Sequence, residues 1–303
     1  IEDILRFLDN VMQDFIDNAP DTMARAKYSA MRERSVGLGV MGFHSFLQAQ
    51  KSPLEGVMSK VWNKQIFDHL KKHADAASEK LADERGSCPD AAEYGIKARF
   101  SNKTAIAPTA SISIICGGAS PGIEPIAANS YTHKTLSGSF NVRNKYLAKV
   151  LAEKGQNTEE VWTSITVHEG SVQHLDFLSD IEKDIFKTAF ELDQRWLIEL
   201  AGDRTPMIDQ AQSLNIFLAS NVHKRDLHQI HFQAWKKGVK SLYYCRSKSI
   251  QRAEVVANIP GRSKSADDDM PTPESSFDIP ALVAKASAQA ASEPDYDECL
   301  ACQ

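Results

Sequence analysis

The 303-residue sequence lacks several features that would assign it to a specialised class of protein. No apolar run approaches the roughly 18–20 residues that a transmembrane helix needs, so no membrane span is expected. The net charge of -5 includes no excess of basic residues, and nucleic acid is therefore not an expected partner. Apolar residues make up 42% of the chain and charged residues 25%, which is typical of a globular protein with a sizeable core.

Cysteine is also scarce. Five cysteines are too few and too scattered for a secreted disulfide scaffold, so we expect a reducing cytoplasm. Only Cys299 and Cys302 lie close together, in the C-terminal sequence YDECLACQ. Two thiols at this spacing form a disulfide readily and can exchange electrons with a partner dithiol. A zinc site is the less favoured interpretation, because it needs four ligands and only two are local.

The C-terminal residues 262–303 are rich in Ser, Ala, Asp, Pro and Lys and show no hydrophobic period. This composition predicts a flexible tail after a folded domain that occupies residues 1–261. Roughly forty residues separate the folded domain from the two cysteines, which gives a flexible reach of about 35 Å. The tail could therefore carry its dithiol from a site on the domain to an external partner.

Hydrophobic periodicity predicts helices over much of the folded part. Apolar residues recur at helical spacing in residues 2–19, 60–83, 180–200 and 227–235, and residues 146–168 are predicted to be helical with polar interruptions. Residues 129–147 are predicted to form a hairpin around Ser137 and Gly138.

Three glycines interrupt the apolar run SVGLGVMGF at residues 35–43. The pattern is similar to a dinucleotide-binding GxGxxG motif, but no acidic residue follows at the distance that this fold needs. We predict instead that a strand and a helix pack closely here, with glycine making room for a neighbouring backbone.

The stretch from Lys103 to Pro125, KTAIAPTASISIICGGASPGIEP, contains the candidate binding loop. Its two β-branched runs, bounded by Pro and Gly, predict a strand, a loop and a second strand. The loop is rich in hydroxyl groups and small side chains, so its backbone N–H groups could approach a phosphate or a diphosphate. The loop alone favours the alternative, an ordinary connection whose hydroxyl groups bond their own backbone.

Tyr243 and Tyr244 adjoin each other in residues 239–244, which are predicted to form a strand. Neighbours in a strand point to opposite faces, so the ordinary interpretation is one core residue and one surface residue. The functional alternative is a relay that moves an oxidising equivalent in steps, because tyrosine gives up an electron only together with its phenolic proton.

Together these features resemble a single family. From Arg34 to Gln303 the sequence is similar to the C-terminal half of the large (α) subunit of class I ribonucleoside-diphosphate reductase. The motifs that carry the resemblance are SVGLGVMGF (35–43), ERGSCP (84–89), APTASIS with SPGIEP (107–125), YTHKTLSGSF (131–140), QSLN (212–215), WKKGVKSLYY (235–244) and CLAC (299–302). They follow the order and rough spacing of the family, and the APTAS and SGSF segments are closer to its eukaryotic and phage-type members. If a phage encodes the chain, the expected cytoplasm is that of the host cell.

The resemblance implies an α/β fold in which the chain supplies about the second half of a ten-stranded α/β barrel, followed by the flexible tail. It implies a radical reaction that replaces the ribose 2′-OH of a ribonucleoside diphosphate by hydrogen, to provide deoxyribonucleotides for DNA synthesis. By this likeness the loop that holds the substrate diphosphate is matched by five residues: Pro108, Thr109, Ala110, Ser111 and Ile112.

The same likeness assigns the two residue pairs. Tyr243 and Tyr244 match the tyrosines that relay the radical inside the large subunit. Cys299 and Cys302 match the tail dithiol that re-reduces the active-site disulfide and is itself reduced by thioredoxin or glutaredoxin. The family often has four residues between these cysteines and this chain has two, a difference that can shift the redox potential without removing the function.

Several parts of the family's machinery lie N-terminal to the segment that this sequence matches. They are the radical cysteine with its neighbouring Asn and Glu, both cysteines of the active-site redox pair, and the nucleotide effector sites. The chain also begins without Met, so we expect a split or partial large subunit that needs an N-terminal half. We expect its radical to come from a metal-containing small (β) subunit, and no metal or other cofactor to be bound by this chain.

Two rival hypotheses remain open. The first is a non-catalytic remnant that binds diphosphate or the small subunit without turnover. The intact tyrosine pair and the CxxC pair argue against it, because a binding module needs neither. The second is a free-standing dithiol oxidoreductase, which would be active without any nucleotide.

Overall fold

The computed structural model of the chain describes residues 1–135, 138–219 and 222–247. Within these ranges the α-helices are α1 (Glu2–Asn18), α2 (Ala24–Glu33), α3 (Phe43–Ala49), α4 (Val57–Arg85), α5 (Pro89–Glu93), α6 (Ala110–Ile115), α7 (Lys145–Glu153), α8 (Glu159–Val167), α9 (Asp180–Ile185), α10 (Gln194–Arg204) and α11 (Lys224–Lys236). The strands are β1 (Ser130–Thr135), β2 (Gly138–Arg143), β3 (Ile216–Leu218) and β4 (Cys245–Ser247), and two short 3₁₀ helices cover Asp21–Met23 and Thr205–Met207.

Four chain segments lie side by side in parallel. Single bridges join Leu38 to Thr104 and Ile106 to Gln212, and β3 pairs in parallel with β4. The segments follow one another in chain order and helices connect them, as α/β architecture requires, because parallel neighbours need a crossover connection.

Close packing between the first two parallel segments depends on a glycine. A Cβ atom at Gly39 would lie 2.2 Å from the carbonyl oxygen of Ala105. Only glycine permits this approach of two backbones. The prediction that a glycine in residues 35–43 makes room for a neighbouring backbone is therefore confirmed, but at Gly39 that neighbour is a parallel extended segment and not the predicted helix.

Most predicted helices are present. Segments 2–19, 60–83 and 227–235 correspond to α1, α4 and α11, and the interrupted segment 146–168 corresponds to α7 and α8. The predicted hairpin is formed by β1 and β2, which pair antiparallel. No helix in the described part of the chain is long and apolar enough to cross a membrane.

The single helix predicted over residues 180–200 is wrong, because α9 and α10 are separate helices. Between them, the side-chain amide of Asn129 donates to the carbonyl oxygen of Phe186 at 2.7 Å. The backbone N–H of Ala189 donates to the carbonyl oxygen of Ile126 at 2.8 Å. These tertiary hydrogen bonds replace helical ones, and both Phe186 and Ala189 remain buried, so the apolar spacing reflected burial and not a continuous helix.

The predicted domain boundary at residue 261 and the predicted tail, residues 262–303, lie outside the described residues. The same holds for Cys299 and Cys302.

Candidate functional site

The candidate diphosphate loop begins where the second parallel segment ends. After the bridge at Ile106 the chain passes Pro108 and reaches Thr109, whose φ of 53° is left-handed. Thr109 is the N-cap of α6, so the apolar run that follows is helical and the second strand predicted in residues 103–125 is wrong. A left-handed residue redirects the chain, and the β-branched residues after it then form one and a half helical turns on the surface.

The loop presents backbone and small polar groups to its surroundings. Ala110, Ser111 and Ile112 are exposed, and they form the first turn of α6. The first N–H groups of a helix have no acceptor inside the helix. The Thr109 hydroxyl oxygen accepts a hydrogen bond of 2.7 Å from the N–H of Gly122, so this side chain braces the loop. Diphosphate binding by Pro108, Thr109, Ala110, Ser111 and Ile112 stays a prediction.

A turn at residues 120–125, SPGIEP, supports the loop from behind. Its Ser120 carbonyl oxygen accepts from the N–H of Gly42 at 2.9 Å, and its Gly122 carbonyl oxygen accepts from the N–H of Phe43 at 3.3 Å. A Cβ atom at Gly122 would lie 2.8 Å from the carbonyl oxygen of Ala107, so the turn approaches the loop's backbone closely. The turn is therefore fixed both to the candidate loop and to the start of α3.

The same turn carries a buried acid, Glu124, which is 5% exposed. Burial raises the pKa of Glu124, while hydrogen bonds from Asn215 and the positive charge of Arg246 act in the opposite direction. The backbone N–H of Asn215 donates to the Glu124 carboxyl group, at 3.3 Å from Oε1. Asn215 itself is buried.

Tyr243 and Tyr244 directly precede β4. The strand predicted for residues 239–244 begins later, at Cys245. The first residue of the predicted strand, Val239, belongs instead to the turn that ends α11, since its N–H donates to the carbonyl oxygen of Ala234 at 3.0 Å. The two tyrosine rings lie side by side, with centroids 4.1 Å apart and planes tilted by 56°. The predicted alternation of one core and one surface tyrosine is wrong, since Tyr243 is 39% and Tyr244 is 47% exposed.

The backbone of this tyrosine pair is held by β3 and the residues before it. The N–H of Tyr243 donates to the carbonyl oxygen of Leu214, and the N–H of Ile216 donates to the carbonyl oxygen of Tyr244, both at 2.9 Å. Between these two bonds, the N–H of Tyr244 donates to the side-chain oxygen of Asn215 at 3.0 Å.

Hydrogen bonds thus connect the candidate loop to the tyrosine pair. They run from Thr109 through the turn at residues 120–125 to Glu124, then to Asn215 and the backbone of Tyr244. Sequence reasoning missed Glu124 and Asn215, although both lie in quoted motifs, SPGIEP and QSLN. The available signal was an acidic residue inside an apolar turn, which is buried only when it has polar partners.

Other features of the described residues do not add to this site. Surface pockets lie beside Trp62 and beside the neighbouring rings of His69 and His73, and no candidate residue lines either of them. No group of three or more His, Cys, Asp or Glu side chains in the described ranges is placed to hold a metal ion. The expectation that this chain binds no cofactor stays a prediction.

Comparison with known proteins gives concordant matches. The family model described as "Ribonucleotide reductase, barrel domain" matches residues 1–97 and 90–245. The chain is 46% identical over 262 residues to the ribonucleoside-diphosphate reductase large subunit of Invertebrate iridescent virus 6. This alignment covers 85% of this chain and 27% of the viral protein. The chain is 31% identical over 281 residues to the large subunit of Caenorhabditis elegans, covering 82% of this chain and 35% of that protein.

A solved structure, that of the Actinobacillus ureae class Id ribonucleotide reductase alpha subunit, matches with a TM-score of 0.76 and 39% identity. The match covers 82% of this chain and 46% of that chain. The chain therefore spans less than half the length of each of these three proteins. Together with the four parallel segments, this likeness confirms the predicted α/β barrel fold.

Proposed function

This chain belongs to the ribonucleotide reductase family through its barrel domain, and we propose that it acts as the second half of the catalytic barrel of a ribonucleoside-diphosphate reductase large subunit. The predicted family is thereby confirmed. In this role the chain takes part in reducing ribonucleoside diphosphates to deoxyribonucleoside diphosphates. The observation that carries the proposal is the hydrogen-bonded connection between the candidate loop and the tyrosine pair, which brings a substrate site and a radical relay together.

The loop at Pro108–Ile112 binds the substrate diphosphate. Its exposed residues are small or offer backbone N–H groups at the start of α6, and these groups favour anionic oxygens. The bond between Thr109 and Gly122 keeps the loop in one conformation, which lowers the entropy lost on binding.

Tyr243 and Tyr244 relay the oxidising equivalent toward the substrate. Their ring centroids are 4.1 Å apart, so the transfer of an oxidising equivalent from one ring to the other covers a short distance. Each phenol loses its electron and its proton together and regains both when the equivalent returns. A small subunit whose metal centre lies outside this chain supplies the radical.

The proposal includes two further partners. The remainder of the large-subunit fold, joined to this chain or separate from it, contributes the radical cysteine, the active-site redox pair and the effector sites. Thioredoxin or glutaredoxin reduces the tail dithiol of Cys299 and Cys302. The cytoplasmic location stays a prediction that cell fractionation would test.

A chimaera tests the function. In the large subunit of Invertebrate iridescent virus 6, the corresponding segment is replaced by residues 1–303, and CDP reduction is assayed with that virus's small subunit and dithiothreitol. Turnover is expected in the chimaera and not in the 303-residue chain alone. The unmodified viral large subunit is the positive control. A folded chimaera that binds CDP and does not reduce it would establish the remnant hypothesis instead.

In the same chimaera, Cys299→Ser and Cys302→Ser should each lose nearly all turnover with thioredoxin as reductant. Both should retain turnover with dithiothreitol, because a small dithiol reaches the active-site disulfide without the tail. Cys116→Ser, which alters an exposed cysteine at the end of α6, is the control and should be active with both reductants. Equal loss with both reductants would contradict the shuttle role. Dithiol oxidation by the wild-type chain without nucleotide would favour the free-standing oxidoreductase.

A further inference from the structure

We propose that Glu124 is a positioning residue for the tyrosine pair: its buried carboxyl group holds Asn215, and the side chain of Asn215 holds the backbone of Tyr244. The inference deepens the proposed function, on which the purpose of the pair rests. The hydrogen bonds themselves do not depend on that function.

The backbone of Glu124 is held in place by the turn that contains it. Its own N–H donates to the carbonyl oxygen of Pro121 at 3.0 Å, which closes the turn. The N–H of Gly122, in the same turn, is bound by the hydroxyl oxygen of Thr109 at 2.7 Å. A carboxyl group that is 5% exposed has lost most of its contact with water, so its hydrogen bond to Asn215 is costly to break.

Asn215 transmits this restraint because it uses two different groups. Its backbone N–H donates to Glu124, while its side-chain oxygen accepts from the N–H of Tyr244 at 3.0 Å. Asn215 is 1% exposed, so water cannot readily replace either partner. Loss of the Glu124 carboxyl group leaves the Asn215 N–H without this partner. The peptide between Leu214 and Asn215 then keeps the bond from the N–H of Tyr243 to its carbonyl oxygen but loses the restraint on its other side.

The backbone of Tyr244 is the part of the tyrosine pair that depends on Asn215. Its carbonyl oxygen accepts from the N–H of Ile216, whereas its own N–H bonds the side chain of Asn215 and, among the described residues, no backbone carbonyl. The orientation of the Tyr244 peptide, and hence the direction of its side chain toward Tyr243, is therefore set by Asn215. Asn215 thus joins the turn at residues 120–125 to the tyrosine pair, by its backbone N–H at one end and its side-chain oxygen at the other.

The test uses the 303-residue chain with 3-fluorotyrosine at position 244, observed by ¹⁹F NMR. The neighbouring ring of Tyr243 changes the chemical shift of this resonance. The Tyr243→Leu variant gives the chemical shift without that ring, and the difference between the two is the displacement. Glu124→Ala and Asn215→Ala should each move the resonance most of the way to that position. Glu124→Gln keeps an oxygen acceptor and should restore at least half of the displacement.

The matched control is Gln194→Ala. Gln194 is also buried, and its side-chain oxygen accepts from the N–H of Phe217 at 2.8 Å. Phe217 lies in β3, and neither tyrosine takes part in this hydrogen bond. Gln194→Ala should reduce stability without moving the resonance. If either alanine variant fails to fold, Asn215→Ser removes the same acceptor with a smaller change. A shift no larger than that of Gln194→Ala would overturn the proposal.

Turnover then separates this inference from the proposed function. In the chimaera, Glu124→Ala should lower kcat at least about tenfold with the KM for CDP within about twofold, since the substrate loop is unchanged. If the two alanine variants move the resonance but the wild-type chimaera is inactive, the proposed function is excluded and the positioning role remains. An active wild-type chimaera with an unmoved resonance would remove the positioning role alone.

Discussion

Asp9→Asn is expected to lower the free energy of unfolding by about 3–5 kcal/mol, because it removes the buried negative charge at the centre of a cluster of three arginines. Folded domains of this kind are stable by only about 5–15 kcal/mol, so the variant should be close to unfolding at room temperature. Urea denaturation of the purified chain, followed by circular dichroism, measures the difference.

The expectation follows from the number of bonds on one carboxylate. Oδ1 of Asp9 accepts from Nε and Nη2 of Arg34 at 2.9 and 2.6 Å and from Nε of Arg99 at 3.0 Å, and Oδ2 accepts from Nη1 of Arg85 at 2.7 Å. Asp9 is fully buried. Arg34 follows α2, Arg85 is the last residue of α4, and Arg99 lies in the segment after α5. One side chain on α1 therefore holds three other parts of the fold.

The effect should depend on pH in a defined direction. Burial alone would raise the pKa of Asp9, but hydrogen bonds from Arg99, Arg85 and Arg34 outweigh it and lower the pKa. A carboxyl group whose pKa is lower in the folded state stabilises the fold above its unfolded value of about 3.9. That stability is lost as the pH falls through the folded pKa. The difference between wild type and Asp9→Asn should therefore be largest near neutral pH and shrink in strong acid.

Glu2→Gln is the matched control on the same helix. Glu2 pairs with Arg6 and Lys80, but its side chain is 41% exposed, and ion pairs in contact with solvent contribute little to stability. Its effect should be a small fraction of the Asp9 effect. If Asp9→Asn is no more destabilising than Glu2→Gln, the buried cluster does not hold these elements together.

The local parts of the fold could be predicted from the sequence. Helical spacing located α1, α4 and α11, and the glycine-rich run at residues 35–43 indicated a close backbone approach that occurs at Gly39. These features depend on residues that are near one another in the chain, where periodicity is informative.

The parts that sequence reasoning missed depend on distant residues. The break between α9 and α10 is fixed by hydrogen bonds to Asn129 and Ile126, and no local pattern reveals them. The cluster at Asp9 joins residues 25 to 90 positions apart. For the candidate site, the motifs led to Thr109 and to the tyrosine pair, but the bond from Glu124 to Asn215 spans 91 positions and needed the structure. Likewise, β-branched residues at 112–115 favoured a strand until the left-handed Thr109 placed them in α6.

Tyr244→Phe and Tyr243→Phe are each expected to lower CDP reduction by the chimaera at least about 100-fold, which corresponds to about 2.7 kcal/mol of barrier. Phenylalanine keeps the ring and its packing but has no phenolic proton, so it cannot pass on an electron and a proton together. The affinity for CDP, measured by equilibrium dialysis, should stay unchanged, since the ring does not form the diphosphate loop. Tyr28→Phe, on the exposed face of α2, should be fully active.

The pattern of loss distinguishes a relay from a merely structural pair. Both rings are more than a third exposed in this chain, so removal of one hydroxyl group should change the stability little. Turnover and stability should therefore separate: a large loss of rate with an unchanged urea midpoint indicates a role in radical transfer. A rate that falls only in proportion to stability would assign the contact at 4.1 Å to packing and place the relay elsewhere. Retention of more than about a tenth of the wild-type rate by either variant, a barrier change below about 1.4 kcal/mol, would also exclude an obligatory step through that tyrosine.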